Sequence, residues 1–171
     1  MIRLLIFILA GMIAPVQLCA ESTLFSNPLP SGPGIKLNSL ADPAPVYPGG
    51  RFRLYLSAQI EEGWHIYSLK PLDGNEMLAT RIIIEESVFE TVGHWEESPP
   101  HLIQDDAQAK MVKGHTFTAE FQKSFYVPEK IKPGSYSIKG NLLYRACDNK
   151  LCTLPQSLPF VTRVQVVVIE E

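Results

Sequence analysis

RFRLYLSAQI, residues 51–60, alternates apolar and polar side chains without interruption. Because successive side chains of a β-strand point to opposite faces, this period of two is typical of a strand with one buried and one wet face. The wet positions carry arginine, tyrosine, serine and glutamine. The buried face is predicted to carry Phe52, Leu54, Leu56, Ala58 and Ile60.

Short segments of the same kind recur along the rest of the chain, and no segment keeps a helical period over a dozen residues. The predicted strands are residues 64–68, 80–85, 88–95, 116–127, 135–144 and 161–169, with an edge strand around 35–37. Seven or eight short strands separated by turn signals predict an all-β, immunoglobulin-like antiparallel β-sandwich. Residues 96–114 are expected to form a long irregular loop, and loops of that length are usually functional or disordered.

Composition divides the chain into three parts. Residues 1–20 combine a positive start, an apolar run and Leu18-Cys19-Ala20, which predicts a cleaved signal peptide and therefore a periplasmic protein. Lipid attachment at Cys19 is the alternative, but Leu18 stands where lipoprotein signals place a small residue. Residues 21–50 are rich in proline and glycine and are predicted to form an extended arm. Residues 51–171 are assigned to the immunoglobulin-like domain.

Charge restricts the possible partners. The net charge is -3, and the lysines and arginines are scattered along the chain. Nucleic acid is therefore excluded as an expected partner, because phosphate binding requires a concentrated basic surface. We expect contact with a membrane only through a partner protein.

Two cysteines remain after the predicted cleavage, Cys147 and Cys152. If Asn149 and Lys150 form the centre of a tight hairpin turn, the two cysteines lie opposite each other with Cα atoms about 4.5 Å apart, which suits a disulfide. Alternation along residues 135–146 places Tyr144 and Ala146 toward the core, so the Cys147 sulfur is predicted to face solvent. Arg145 shares that face and Lys150 lies close by, and cationic neighbours favour a reactive thiolate.

The cysteine pair has three possible functions. A structural disulfide in a non-catalytic immunoglobulin-like binding or adaptor domain is the commonest explanation for an exported protein. A redox-active dithiol that exchanges electrons with partner proteins is the second. A copper carrier is the third, in which the cysteines and a histidine bind copper(I) with help from Met77 or Met111.

Other chemistry-bearing residues give no further site. The histidines are dispersed without metal-ligand spacing, and neighbouring acidic pairs are interpreted as solvated loop charges. The histidines are His65, His94, His101 and His115, and the acidic pairs are Glu61-Glu62 and Asp105-Asp106.

The cysteine segment resembles a known family. Tyr144-x-Ala146-Cys147-x4-Cys152-x-x-Pro155, together with GWHIYS at residues 63–68, is similar to the N-terminal periplasmic domain of the DsbD family of thiol-disulfide interchange proteins. The resemblance implies an immunoglobulin-like fold in which Cys147 and Cys152 exchange disulfides without a cofactor. It implies electron transfer from membrane-embedded and thioredoxin-like proteins to periplasmic thiol proteins, including disulfide isomerases and factors of cytochrome c biogenesis.

The resemblance also suggests supporting residues. Trp64, Tyr67 and Tyr144 are expected either beside the sulfurs or as ordinary core aromatics. Acidic residues near the family's site correspond to Glu96 and Glu97. The family covers its disulfide with an aromatic cap residue, for which His101 or Leu102 is the candidate substitute here.

The chain ends at Glu171, before the membrane helices and thioredoxin-like domain that follow in the family. We therefore expect the reductant to be a separate membrane thiol transporter or thioredoxin-like protein.

Overall fold

A computed structural model of the protein describes residues 32–168. Within this range the regular structure consists of β-strands and one 3-10 turn, Glu76–Leu78, so the predicted all-β class is confirmed. The strands are β1 Lys36–Asp42, β2 Arg51–Gln59, β3 His65–Tyr67, β4 Arg81–Glu86, β5 Glu90–Glu97, β6 His101–Asp105, β7 Lys110–Thr116, β8 Thr118–Tyr126, β9 Gly134–Tyr144, β10 Ala146–Cys147 and β11 Gln156–Val166.

Two antiparallel sheets form the immunoglobulin-like sandwich. One has the strand order β1-β2-β8-β5 and the other the order β11-β9-β4. The apolar face predicted for β2 is buried, and it packs in one cluster with Phe121 and Phe125 of the neighbouring strand β8 and with Ile138 and Leu142 of β9 in the facing sheet. The edge strand expected near residues 35–37 is β1, which pairs along its whole length with residues 53–59 of β2.

A third sheet, with the order β10-β3-β7-β6, has one face on the main core through Ile66 and Ala146. Its other face carries Tyr67, Val112 and Cys147, which form a second cluster together with Leu78 of the 3-10 turn. Close strand contact in this sheet requires Gly114, since a Cβ atom there would lie 2.3 Å from the Ile66 carbonyl oxygen.

The prediction of a long irregular loop at residues 96–114 was wrong. This segment contains the end of β5 and the β6–β7 hairpin, whose strands pair from His101–Gly114 to Asp105–Lys110. The hairpin was missed because β6 is short and mostly exposed, and therefore lacks the alternation that marks a half-buried strand.

The final strand also differs from its predicted bounds. β11 begins at Gln156 rather than residue 161 and pairs with β9 along its whole length. The predicted signal peptide, Cys19, the arm up to residue 31 and Ile169 lie outside the described residues. Between residues 32 and 168 there is no helix with the length and apolar character needed to cross a membrane.

Candidate functional site

The two cysteines lie at the base of a tight hairpin. Asp148 N donates to the Leu151 carbonyl at 3.0 Å, and Cys147 pairs with Cys152 across the hairpin. The side chain of Asp148 accepts hydrogen bonds from the backbone amides of Leu151 and Lys150, which lower the pKa of this carboxyl. The predicted turn is therefore present, and Cys147 and Cys152 form a disulfide with Cα atoms 4.0 Å apart.

The two sulfur-bearing residues differ in burial. Cys147 has an exposed fraction of 0%, whereas Cys152 is half-buried. The prediction that Cys147 faces solvent was wrong, although its side chain does point away from the main core. The third sheet supplies the physical reason: β10 pairs with β3, and the outer face of this sheet is covered by the second cluster around Leu78 and Val112.

Tyr67 contacts the disulfide directly. Its hydroxyl oxygen lies 2.8 Å from Cys147 Sγ and 3.8 Å from Cys152 Sγ. The hydroxyl donates to Asp105 Oδ2 at 2.6 Å. Burial raises the pKa of Tyr67, and the hydrogen bond to Asp105 raises it further. Tyr67 is therefore a protonated phenol at neutral pH, with its proton directed at Asp105 and its oxygen beside the buried sulfur.

Asp105 was expected to be a solvated loop charge, and this prediction was wrong. It lies at the end of β6 with an exposed fraction of 1%, facing His65 Nε2 at 3.3 Å as well as Tyr67. The turn after β6 begins with a hydrogen bond from Gln108 N to Asp105 Oδ1. The Gln108 side-chain amide then donates to Cys152 Sγ at 3.3 Å. Ile103 and Val112 of the same segment pack in the second cluster with the cysteines.

The alternation of side chains along β3 and β6 could have shown which of these residues share a strand face. His65 and Tyr67 are two residues apart on β3, and Ile103 and Asp105 are two apart on β6, so each pair shares one strand face. What sequence could not supply was the pairing of β3, β7 and β6 that brings the two faces together.

Glu97 belongs to a second polar cluster behind β3. It accepts hydrogen bonds from Ser68 Oγ and Leu69 N and lies 2.9 Å from His115 Nε2. Burial opposes ionisation of Glu97, but the hydrogen bonds from His115, Ser68 and Leu69 outweigh it and lower its pKa to about 2. The cluster fixes the end of β3 relative to β5 and β7.

A Glu97→Gln variant is expected to lose about 2 kcal/mol of stability at pH 7, because the buried carboxylate receives three hydrogen bonds. The folded-state pKa is depressed below the ordinary 4.5, so this stabilisation is fully present above pH 4.5 and is lost as the pH falls toward 2. Urea unfolding at pH 7, 5 and 3 measures it.

The matched control is Glu96→Gln, since Glu96 is exposed and bonds only Gln122 among the residues described. A difference between wild type and the Glu97 variant that stays constant from pH 7 to pH 3 would contradict the assignment.

The remaining predicted residues lie elsewhere. Trp64 and Tyr144 pack in the main core, Arg145 is half-buried after β9, and His101 is exposed on β6. Glu96 is exposed on β5. Of the three aromatic candidates, the structure places Tyr67 against the sulfurs.

A possible metal-ligand group is present beside the disulfide. His65, Asp105 and Cys147 have ligand atoms within 4.8 Å of one another, a grouping that the dispersed histidines did not predict. The Tyr67 hydroxyl bridges Asp105 and Cys147. Met77 and Met111, the expected additional copper ligands, are 83% and 45% exposed and lie outside this group.

Comparison with solved structures gives remote similarities. The N-terminal periplasmic domain of ScsB from Proteus mirabilis is 19% identical with a TM-score of 0.49, over 74% of this chain and 44% of that chain. The reduced DsbD N-terminal domain of Neisseria meningitidis is 14% identical with a TM-score of 0.41, over 63% and 74%. A type I cohesin–dockerin complex from Clostridium thermocellum is 12% identical with a TM-score of 0.38, over 77% and 99%.

The present chain thus spans less than half the length of the ScsB chain. No curated protein matches the sequence. The family described as "Thiol:disulfide interchange protein DsbD, N-terminal" matches residues 38–162, which include every strand from β2 to β10 and both cysteines. With most of its length matched, the chain belongs to the family of DsbD N-terminal domains.

Proposed function

We propose that this chain relays electrons in the periplasm, from a membrane or thioredoxin-like reductant to periplasmic thiol proteins, through Cys147 and Cys152. The observation that carries the proposal is the asymmetry of the disulfide. One sulfur is half-buried, and the other is buried against a phenol hydroxyl. An exchange site needs one sulfur that a partner can reach and one that leaves easily.

The first step of the proposed reaction is attack by a partner thiolate on Cys152 Sγ. A bond forms between the two proteins, the bond from Cys147 to Cys152 breaks, and its electron pair remains on Cys147. The partner's second thiolate then attacks the partner sulfur of the mixed disulfide, a disulfide forms within the partner, and the bond to Cys152 breaks with Cys152 leaving as a thiolate. The products are an oxidised partner and a reduced dithiol on this chain, so two electrons have been transferred.

In the second half of the cycle the dithiol of this chain is oxidised again by an acceptor protein. The Cys152 thiolate attacks the disulfide of an acceptor, and Cys147 then resolves the mixed disulfide. In this proposal the Gln108 side chain, which lies over Cys152, moves aside when a partner docks. Tyr67 supports both halves by offering its hydroxyl to Cys147.

The reduction potential separates this proposal from an adaptor domain with a structural disulfide. We expect a potential above about -300 mV, because structural disulfides of secreted proteins lie below that value. Equilibration with dithiothreitol buffers, followed by alkylation of free thiols, measures the potential. A value well below -300 mV would favour the adaptor and defeat the relay.

A further inference from the structure

A continuous row of hydrogen-bonding groups leads away from Cys147. The Tyr67 hydroxyl and His65 Nε2 both meet the same oxygen, Asp105 Oδ2, at 2.6 and 3.3 Å. Because a carboxylate only accepts hydrogen bonds, the proton of His65 lies on Nε2 and leaves Nδ1 as an acceptor. A proton that Oδ2 receives from His65 is on the oxygen that also contacts Tyr67, so its transfer to Tyr67 needs only reorientation of the Oδ2–H bond.

His65 also lines a cavity of about 270 Å³. Among residues 32–168, Nδ1 has no hydrogen-bond partner, and no fully buried side-chain nitrogen or oxygen lacks one. Nδ1 is therefore accessible to water at this cavity. The cavity lies beside the hairpin turn at Asp148 and Asn149 and is also lined by Trp64, Ile103 and Phe117.

When the disulfide is reduced, the buried sulfur of Cys147 needs a proton. The electron pair released in the exchange reaction remains on Cys147, which is fully buried, and an unpaired buried charge is costly. Tyr67 can donate its own proton, but it would then become a phenolate beside the Asp105 carboxylate. A second proton must therefore follow from outside the cluster.

We propose that His65 passes this proton from the cavity to Cys147 through Asp105 and Tyr67, an inference that rests on the proposed exchange reaction. As Cys147 leaves, the Tyr67 O–H turns from Asp105 Oδ2 toward the sulfur and gives it the proton, and the phenolate oxygen then takes a proton from His65 Nε2 through Asp105 Oδ2. His65 takes up a proton at Nδ1 from water. The partner thiol released one proton to water when it ionised, so the proton that His65 takes from water leaves the total number of protons unchanged.

The surroundings of His65 suit this role. The groups that face it are the Asp105 and Asp148 carboxylates, the Tyr67 ring at 5.5 Å and the Cys147 sulfur. Burial lowers the pKa of His65, while Asp105 opposes the shift, so the imidazole is neutral at pH 7. A neutral imidazole can accept at one nitrogen while it donates at the other. Oxidation of the dithiol runs the same transfer backwards and restores the starting tautomer.

A chemical-rescue experiment tests the relay. His65→Ala is expected to slow reduction of the disulfide by dithiothreitol about tenfold, less than the loss of a direct general acid because Tyr67 remains. Added imidazole is expected to restore most of the rate, since the missing ring leaves a space continuous with the cavity. His65→Phe keeps a ring against Tyr67 but carries no nitrogen, and is expected to be as slow as His65→Ala and insensitive to imidazole.

His94→Ala is the matched control, because His94 is exposed on β5 and has no contact with the cluster in the described residues. It is expected to show the wild-type rate with and without imidazole. A normal rate in His65→Phe, or a slow His65→Ala that imidazole does not rescue, would assign His65 a structural role and overturn the relay. If instead the wild-type disulfide resists dithiothreitol, the proposed function itself fails.

Discussion

A Cys147→Ala variant is expected to form mixed disulfides at least about tenfold faster than a Cys152→Ala variant, because a thiol must be accessible to exchange. In the first variant the remaining sulfur is that of half-buried Cys152, which a partner can reach once Gln108 moves. In the second it is that of Cys147, which is covered by Tyr67, Leu78 and Val112. The two thiols differ in accessibility because Cys147 lies on the third sheet, under the second cluster.

The measurement uses each purified single-cysteine variant and a thioredoxin-like protein with one active-site cysteine, activated as its thionitrobenzoate adduct. Release of thionitrobenzoate gives the rate, and a non-reducing gel identifies the mixed disulfide. In urea the two variants should react alike, since the fold alone distinguishes their thiols. Faster reaction of the Cys152→Ala variant under native conditions would reverse the assignment of the attacked sulfur.

The sandwich could be predicted from sequence because its strands are buried on one face and wet on the other. In β2 and β9 this burial leaves a period of two along the chain. The pairing of Cys147 with Cys152 was equally accessible, since a two-residue turn fixes which residues face each other. Both inferences depend only on neighbours within one strand or one hairpin.

The site around the disulfide could be predicted only in part, because it depends on which strands meet. Alternation along the strand correctly predicted that Cys147 points away from the main core. The sequence did not show that a second cluster covers the side to which Cys147 points. Asp105 appeared to be a loop charge because β6 carries polar residues on both faces. Its burial becomes evident only when β6 is paired with β7 and faces Tyr67.

The largest effect expected from loss of a single hydroxyl is at Tyr67. Tyr67→Phe should slow reduction of the disulfide by dithiothreitol about 100-fold, since it removes the proton donor next to the leaving sulfur. The ring remains, so its packing against Val112 and Leu78 is kept. Asp105 loses one of its hydrogen bonds, which should lower stability by about 1 to 3 kcal/mol. Urea unfolding measures that loss separately from the rate.

Tyr136→Phe provides the control, because the Tyr136 hydroxyl donates to the Lys132 carbonyl at 2.8 Å on an exposed part of β9. It removes the same atom and one hydrogen bond without touching the disulfide, and should leave the rate of reduction unchanged. The comparison distinguishes donation to Cys147 from a general effect of a missing hydroxyl. If Tyr67→Phe exchanged at the wild-type rate while folded, the leaving sulfur would need no donor from Tyr67, and the chemical part of the proposal would have to be withdrawn.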